Sequence, residues 1–495
     1  MGKRATTFEL TLPARDPAVP AYRWLYEAVR AEILAGRLRP GSRLPSTREM
    51  AGQHGLSRGT IVVAFEQLAS EGYAEGSVGS GTYVSRTLPD DLLRVASAAP
   101  GPPAGSARRR RRLADQGRRI MAFPGLEGHS GRAFRANLPA LDLFPTTLWA
   151  QITARRWRRA SARLLLGCEP MGYRPLQEAV AAYLGSARGV NCGPEQIAIT
   201  SGTQEALALA ARLFLNPGDR VCMEDPGYIG AALLFEAAGA RITPVAVDDE
   251  GMKPSASSLR RARLVYVTPA HQFPLGTTMT LGRRLMLLDG ARRSGALVFE
   301  DDYDSEFRYS GRPLPALQGL DHGARVLFSG SFSKVLFPSL RLGYLVVPPD
   351  LVDRFAAMKS VMSRHPPVLE QAVLCDFITA GHFARHLRRM RQIYAERLAA
   401  LLDGARRRLA GLLDISAVEA GLQTAGWLRD GLDGESVARA AAARGVEVTP
   451  LGRYSRRRMA REGLVLGFAA VDEAEIARGV GELATALEME ARTRR

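Results

Sequence analysis

The stretch Ser329–Tyr344, SGSFSKVLFPSLRLGY, decides how most of this chain is interpreted. It continues a strand-like run, RVLFSG, and places one lysine, Lys334, close to Ser331, Ser333 and Arg341. Hydroxyl groups and a guanidinium are suited to holding a phosphate monoester, and a lysine amine beside them is suited to forming a Schiff base. The stretch therefore predicts that Lys334 binds pyridoxal phosphate, which carries both an aldehyde and a phosphate.

The other groups that this cofactor needs have candidates elsewhere in the sequence. SGTQEAL follows the strand-like IAIT and begins a helix, so the backbone amides of Thr203 and Gln204 are expected to bind the phosphate. LVFEDDYDSEF places Asp301 and Tyr303 two residues apart at a strand end, facing one side. We expect an ionised Asp301 to keep the pyridine nitrogen protonated and Tyr303 to donate to the phenolic oxygen. Tyr228, in EDPGY, is expected to stack on the ring.

Beyond residue 137 the sequence alternates between helical and strand-like segments. Amphipathic stretches such as LQEAVAAYL are separated by short apolar runs, namely QIAIT, RVCME, RLVYVT, ALVFED and RVLFSG. This alternation is typical of a mostly parallel sheet covered by helices. It predicts an α/β domain over 137–495.

The N-terminal residues predict a helix-turn-helix. Residues 22–35 place Leu25, Val29, Ile33 and Leu34 on one helical face. Next, STREMAGQHG has the spacing of a capping box at Ser46 and Glu49 and is expected to end at Gly55. Ser57 is expected to cap a second short helix whose buried residues are Ile61, Ala64, Phe65 and Leu68.

The segment after these helices predicts a wing. YAEGSVGSGTYV has two strand-like ends around Gly79, Ser80 and Gly81, as in a hairpin. The first turn of a recognition helix enters the major groove or meets phosphate, and this turn carries Arg58 and Thr60. Arg48, in the preceding helix, is placed to reach the DNA backbone. We therefore expect Arg48, Arg58, Thr60 and the Gly79–Gly81 turn to contact DNA.

Residues 86–136 predict a flexible linker between a DNA-binding domain at 1–85 and the domain at 137–495. The segment is rich in Pro, Gly and Ala and contains eleven arginines, no lysine and four acidic residues. Five of these arginines are consecutive, Arg108–Arg112. The run is interpreted either as a solvated spacer extended by self-repulsion or as an additional contact to DNA phosphates.

Composition agrees with a globular protein that binds an anionic partner. The chain is 46% hydrophobic and 24% charged, its formal net charge is +17 and its pI is near 10.3, which favours nucleic acid as a partner. Four widely spaced cysteines and the lack of a long apolar run predict a cytoplasmic protein. His382 and His386 have helical zinc-pair spacing, but no neighbouring acid or third ligand, so no metal is expected.

The motifs together resemble known families. The stretch LRPGSRLPSTREMAGQHGLSRGTIVVAFEQLASEGYAEGSVGSGTYV resembles the winged helix of GntR-type bacterial regulators, and the region after about Leu138 resembles fold-type I, class I aminotransferases. The combination is similar to the MocR family of regulators. The resemblance implies a homodimer, pyridoxal phosphate on Lys334, and control of transcription by a small amine or by the cofactor itself.

Two departures from the enzymes bear on activity. Where catalytic aminotransferases read NPTG, this chain reads FPLG, and Phe273 replaces the asparagine that supports the phenolic oxygen, so Tyr303 would hold that oxygen largely alone. In LVLGF, Val465 stands where the enzymes have an arginine for the substrate carboxylate. We therefore expect a regulator that senses an amino compound, or the cofactor itself, through an aldimine on Lys334. The alternative is an active aminotransferase with an appended DNA-binding domain.

Overall fold

The fold was analysed in a computed structural model that describes residues 12, 14, 16, 18–77, 81–88, 112–122, 132–311, 314–321 and 325–493. The chain divides into two compact units, Met1–Arg111 and Arg112–Arg495. The limits predicted for the linker, residues 86 and 136, are not tested by this division. Ala133 and Phe134, which precede residue 137, are buried in the second unit and pair with Val446 and Gly467.

The first unit is a winged helix-turn-helix. Ser46 accepts a hydrogen bond from the Glu49 amide while the Glu49 side chain accepts one from the Ser46 amide, so the capping box is complete. Ser57 caps the next helix by accepting from the amide of Thr60. The elements are α1 (Ala21–Leu34), α2 (Thr47–His54), α3 (Arg58–Ser70), β1 (Ala74–Ser77) and β2 (Gly81–Val84).

The core of this unit confirms most of the predicted apolar faces. The residues predicted to be buried in α3 are buried, together with Leu25, Val29 and Ile33 of α1. The prediction for Leu34 was wrong, because this side chain is 36% exposed. Successive helical residues are separated by about 100°, so the stripe that ends at Ile33 leaves Leu34 on the flank of the helix.

An eight-stranded, mostly parallel sheet forms the centre of the second unit. Its order is β3-β10-β9-β8-β7-β4-β5-β6, in which β10 and β6 run antiparallel to their neighbours. Each of the five predicted apolar runs is a strand of this sheet. Its strands are β3 (Ile197–Thr200), β4 (Arg220–Asp225), β5 (Arg241–Asp248), β6 (Gly251–Met252), β7 (Ala262–Val267), β8 (Leu297–Asp302), β9 (Val326–Ser331) and β10 (Gly343–Val346).

Helices accompany this sheet, and a smaller antiparallel sheet lies in the C-terminal part of the unit. The helices are α4 (Asp115–Arg119), α5 (Thr146–Arg158), α6 (Ala162–Leu166), α7 (Arg174–Arg188), α8 (Thr203–Phe214), α9 (Ile229–Ala237), α10 (Ala256–Leu259), α11 (Leu281–Ser294), α12 (Leu317–Leu320), α13 (Phe332–Val335), α14 (Val352–Met362), α15 (Val368–Thr379), α16 (His382–Arg408), α17 (Gly434–Ala443) and α18 (Glu473–Thr493). The small sheet has the order β11-β12-β14-β13, with β11 (Leu413–Ile415), β12 (Gln423–Leu428), β13 (Thr449–Pro450) and β14 (Gly463–Gly467). Single 3-10 turns lie at Leu141–Leu143, Pro194–Gln196, Pro338–Leu340, Pro349–Leu351 and Leu451–Tyr454.

The strand register brings several predicted site segments to one edge of the large sheet. Gly343 of β10 lies opposite both Thr200 and Ser331. Asp301 of β8 lies opposite Ser329 of β9. Carboxyl ends of parallel strands meet at the same edge, which is where ligands bind in open α/β sheets. The segments that carry Thr203, Asp301 and Lys334 therefore begin at this edge.

The four cysteines form no disulfide, and burial raises the pKa of each thiol to about 11. They are Cys168, Cys192, Cys222 and Cys375. Among the described helices, none is long and apolar enough to cross a membrane.

Candidate functional site

Lys334 lies in α13, directly after β9, with its amine enclosed in the second unit. Its Nζ donates a hydrogen bond to the backbone oxygen of Asn137 at 2.9 Å. Burial lowers the pKa of this amine to about 8, although the Asp304 and Asp301 carboxylates raise it. Only an unprotonated amine attacks an aldehyde, so the lowered pKa favours the reactive form of Lys334 near neutral pH.

Asp301 is a buried carboxylate with one oxygen available. Its side chain is 4% exposed, Oδ2 accepts from the Tyr266 hydroxyl at 2.7 Å, and Oδ1 has no partner among the described residues. Burial, together with the charge of Asp302, raises the pKa of Asp301 to about 7, while Tyr266 and Thr203 lower it. A cation at Oδ1 would lower this pKa again and supply the missing partner.

Tyr303 belongs to a network that the sequence did not predict. Its hydroxyl lies 3.0 Å from Nδ1 of His271, and the same nitrogen lies 2.9 Å from Oδ1 of Asp304. The carboxylate favours the tautomer in which Nδ1 donates to Asp304. Nδ1 then has no lone pair to accept a second hydrogen, so the hydroxyl proton of Tyr303 remains available for another acceptor, as the predicted contact to a phenolic oxygen requires.

Gln204 and Tyr228 are brought together by a side-chain contact. Nε2 of Gln204 donates to the Tyr228 hydroxyl at 2.9 Å. The predicted role of Gln204 involved its backbone amide, and the structure adds this second role. The Tyr228 ring also lies 5.8 Å, edge to face, from Phe273, which is buried and packs against Tyr303 at 6.0 Å. Phe273 therefore fills with an apolar ring the position where the enzymes have an amide.

The predicted phosphate donors also converge. Gly202 precedes α8 with φ 119°, and a Cβ built on it would lie 3.8 Å from the guanidinium of Arg341. Ser331 Oγ accepts from the Ser333 amide at 3.2 Å, and the buried Ser333 hydroxyl has no partner among the described residues. The first amides of α8 have no acceptor within their own helix. Arg341 therefore lies beside the start of α8, and Ser331 and Ser333 lie in the segment that carries Lys334.

This donor set fits pyridoxal phosphate. A buried carboxylate oxygen without a partner at Asp301 matches a pyridine nitrogen, and the free hydroxyl of Ser333, the guanidinium of Arg341 and the α8 amides match a phosphate. The amine of Lys334 is suited to react with the aldehyde of the cofactor. The cofactor would thus supply partners for the Asp301 oxygen and the Ser333 hydroxyl, which have none among the described residues.

The region expected to receive a carboxylate is apolar. Val465, in β14, is fully buried in a small cluster with Ala425 and Leu451. Arg453 lies in a nearby turn, and its Nε and Nη2 donate to the two carboxylate oxygens of Glu435, at 2.7 and 2.6 Å. A guanidinium already paired with a carboxylate through two nitrogens is a poor receptor for a ligand carboxylate.

In the first unit, the predicted DNA contacts lie at the surface. Arg58 opens α3 and is exposed, with its Nε 3.3 Å from the Thr47 hydroxyl. Thr60 Oγ1 lies 2.8 Å from Ser57 Oγ, so part of its hydrogen bonding serves the cap. Arg48 is exposed on α2. Gly81 has φ 109°, and Gly79, Ser80 and Arg108–Arg111 lie outside the described residues.

The sequence reasoning missed Arg43 as a candidate DNA contact. Arg43 forms an isolated antiparallel bridge with Tyr83 of the wing, and a Cβ on Gly81 would lie 2.9 Å from its Nε. Gly81 therefore leaves room for an exposed guanidinium at the base of the wing. The only signal in the sequence was the basic run RLRPGSR before the helix-turn-helix.

The two histidines with zinc-pair spacing have other contacts. Nδ1 of His382 lies 2.7 Å from Nη2 of Arg385, and Nε2 of His386 donates to the backbone oxygen of Val335 at 3.3 Å. Over the described part of the chain, no group of three or more His, Cys, Asp or Glu side chains is placed to hold a metal.

Comparison with protein families assigns both units. Residues 139–481 match the family "Aminotransferase class I and II", and residues 21–84 match "Bacterial regulatory proteins, gntR family".

Two relatives named as regulators match this chain over almost its whole length, and a solved aminotransferase matches about three quarters of it. The probable rhizopine catabolism regulatory protein MocR of Rhizobium meliloti is 41% identical over 95% of this chain and 94% of its own length. The pyridoxine biosynthesis transcriptional regulator PdxR of Corynebacterium glutamicum is 29% identical over 96% of this chain and 98% of its own length. The α-aminoadipate aminotransferase LysN of Thermus thermophilus, solved with N-(5'-phosphopyridoxyl)-L-leucine, is 31% identical over 77% of this chain and 98% of its own, with a TM-score of 0.71.

The pKa of Lys334 leads to a prediction for the protein without cofactor. Acetic anhydride should acetylate Lys334 at a rate that increases about tenfold per pH unit at low pH and levels off above about pH 8. Burial disfavours the charged amine, so the neutral, reactive form predominates above that pH. Mass spectrometry of the Lys334 peptide measures the rate, and added pyridoxal phosphate should protect it. A rate that still increases steeply at about pH 10 would contradict the lowered pKa.

Proposed function

This chain belongs to the MocR-type regulators of the GntR family, which join a GntR DNA-binding domain to an aminotransferase class I and II domain, and we propose that it senses a small amine through Lys334. It is a DNA-binding transcriptional regulator. The proposal concerns the signal: a primary amine, in the presence of pyridoxal phosphate, changes the state of Lys334 and thereby the transcriptional output.

The contact between Lys334 and Asn137 carries this proposal. Asn137 lies just after the predicted linker, and its backbone amide donates to Oε1 of Gln423 in β12 at 3.0 Å. Lys334 Nζ donates to the carbonyl of the same residue at 2.9 Å. A change at the amine therefore acts directly on the first residues of the segment that leads toward the DNA-binding unit.

The residues of the chain define how the signal would arise. Pyridoxal phosphate, when bound, supplies an aldehyde carbon with which primary amines combine reversibly. Ser331, Ser333, Arg341 and the amides of Thr203 and Gln204 would hold the phosphate, and Asp301 would hold the pyridine nitrogen. An effector amine would release Lys334, whose amine has a pKa near 8 and would take up a proton at neutral pH. The new charge would alter the contact with Asn137.

The same geometry disfavours ordinary turnover. Phe273 and Val465 are apolar where aminotransferases have an amide and an arginine, yet the groups that would hold the phosphate, the pyridine nitrogen and the aldehyde of the cofactor are all present. We therefore propose that the chain is not an efficient enzyme. An active aminotransferase with an appended DNA-binding domain is the second candidate, because Lys334, Asp301 and Tyr303 are all present. Turnover of about 1 per second or faster in an assay with many amino donors and 2-oxoglutarate would favour the enzyme.

Other parts of the proposal follow from the family. We propose a homodimer in the cytoplasm, where its DNA target lies. The name of PdxR, a regulator of pyridoxine biosynthesis, supports a variant in which the level of the cofactor itself is the signal. DNA binding that changes with pyridoxal phosphate alone, without an added amine, would distinguish this variant.

The DNA contacts can be tested with arginine variants. Arg58→Ala should weaken operator binding by about 1–3 kcal/mol because a base contact is lost. Arg43→Ala should weaken binding to all sequences and reduce the slope of log K against log salt by about 0.9, as for the loss of one phosphate contact. Arg23→Ala, which removes an exposed arginine from α1, is the matched control. Unchanged operator affinity or salt dependence would remove the respective residue from the interface.

The role of Lys334 can be tested by its removal. Lys334→Ala should bind the operator with the affinity of the wild type but should no longer change promoter output when the effector amine is added. The substitution leaves no unpaired buried charge of its own, so the fold should persist. Operator affinity and effector-dependent transcription are measured side by side, with Lys253→Ala as an exposed control. A Lys334→Ala protein that responds fully to the amine would refute the sensor.

The apolar surroundings of Val465 predict the class of effector. Aspartate and glutamate should be poor effectors, because Val465 offers no charge and Arg453 is already paired with Glu435. Absorbance titration of the cofactor-bound protein with aspartate, glutamate and monoamines measures the preference. Tight binding of either dicarboxylic amino acid, visible in the spectrum, would contradict the prediction.

A further inference from the structure

A buried ion pair lies beside the helix that would hold the cofactor phosphate. Nζ of Lys359, in α14, donates to Oε1 of Glu205 at 2.9 Å, and the Lys359 side chain is fully buried. Glu205 is the third residue of α8, and its side chain is 9% exposed. The pair therefore joins α14 to the first turn of α8 in an environment of low dielectric constant.

Glu205 is fixed in place by further hydrogen bonds. Its Oε2 accepts from the backbone amide of Ser201 at 2.6 Å, and its Oε1 also accepts from the Ser363 hydroxyl at 2.7 Å. Burial raises the pKa of Glu205, but Lys359 and these bonds outweigh it and hold the pKa below its ordinary value. The carboxylate of Glu205 is thus ionised and bonded to the loop that leads into α8, formed by Ser201, Gly202 and Thr203 and called the SGT loop below.

A negative charge at this position conflicts with the proposed phosphate site. The N-terminus of a helix attracts anions through its free amides and its dipole, and a fixed carboxylate in the first turn uses the same attraction. A phosphate dianion at Thr203 and Gln204 would be repelled by an uncompensated Glu205 within one helical turn. Lys359 is placed to cancel that repulsion.

We propose that Lys359 is a positioning residue that neutralises Glu205, so that Glu205 can hold the SGT loop through Ser201 without weakening the binding of a phosphate at the start of α8. The inference rests on the proposed function, since it concerns the same cofactor site. It assigns to a buried lysine in α14 an effect on affinity for the phosphate group specifically. A lysine that only packs α14 against α8 would affect all ligands of the site alike.

Paired titrations with pyridoxal phosphate and pyridoxal test the proposal. The selectivity is the dissociation constant for pyridoxal divided by that for pyridoxal phosphate. Both constants are measured by absorbance on the cofactor-free, full-length protein at pH 8. Lys359→Met leaves Glu205 uncompensated and should reduce the selectivity about tenfold, in the range of strong effects at helix ends. Glu205→Gln leaves the lysine charge in excess and should increase the selectivity. The double variant removes both charges and should return the selectivity to that of the wild type.

The selectivities of the wild type, Lys359→Met, Glu205→Gln and the double variant together decide the outcome. Equal loss of affinity for pyridoxal and pyridoxal phosphate in Lys359→Met, with unchanged selectivity, would overturn the proposal and leave the pair a purely structural contact. If Lys359→Met does not fold, Glu205→Gln and the double variant still test the proposal. A selectivity of Glu205→Gln that is equal to or lower than that of the wild type would also overturn the proposal. Lys253→Met is the matched exposed control and should change nothing.

The design separates this inference from the proposed function. Wild-type protein that binds neither pyridoxal nor pyridoxal phosphate would refute the cofactor site itself, and the inference with it. Wild-type protein that binds pyridoxal phosphate at Lys334, combined with variants of unaltered selectivity, would refute only the role of Lys359.

Discussion

The antiparallel strand β10 is the constraint on which the candidate site depends. Inserted between β3 and β9, it places Gly343 opposite Thr200 on one side and Ser331 on the other. A Cβ on Gly343 would lie 2.8 Å from the Gly330 oxygen, so the three segments approach more closely than any other residue allows. Arg341, two residues before Gly343, thereby reaches the start of α8. The α8 amides and the segment that carries Lys334 come from distant parts of the sequence, and this one strand holds them together.

The acidic end of β8 is balanced by partners of different kinds. Asp302 is paired with Arg188 at 2.7 Å, and Asp304 lies 2.9 Å from His271, with all four side chains buried. Asp301 instead has neutral hydroxyl partners, those of Tyr266 and Thr203. A buried carboxylate without a cation is costly, and its raised pKa expresses that cost. Asp301, whose Oδ1 has no partner among the described residues, is the carboxylate that would face a cationic ring nitrogen.

Local signals predicted most of the architecture, whereas contacts between distant segments could not be predicted. Ser46 and Ser57 marked helix starts because a cap acts within four residues, and the apolar runs marked strands. The direction of β10 depends on its neighbours in space and gave no local signal. His271 was missed for the same reason, because its partners Tyr303 and Asp304 lie more than thirty residues away. Arg43 was missed as a candidate because it lies beside Gly81 only once the wing folds back to it.

The raised pKa values of the four thiols have a consequence for signalling in oxidising conditions. Peroxides and disulfides attack the thiolate, and a thiol with a pKa near 11 is a thiolate in only about one molecule in ten thousand at pH 7. Cys222 and Cys375 are in addition closed off from solvent. Peroxides and disulfides therefore have little chemical access to these four cysteines, even when the redox balance of the surroundings changes.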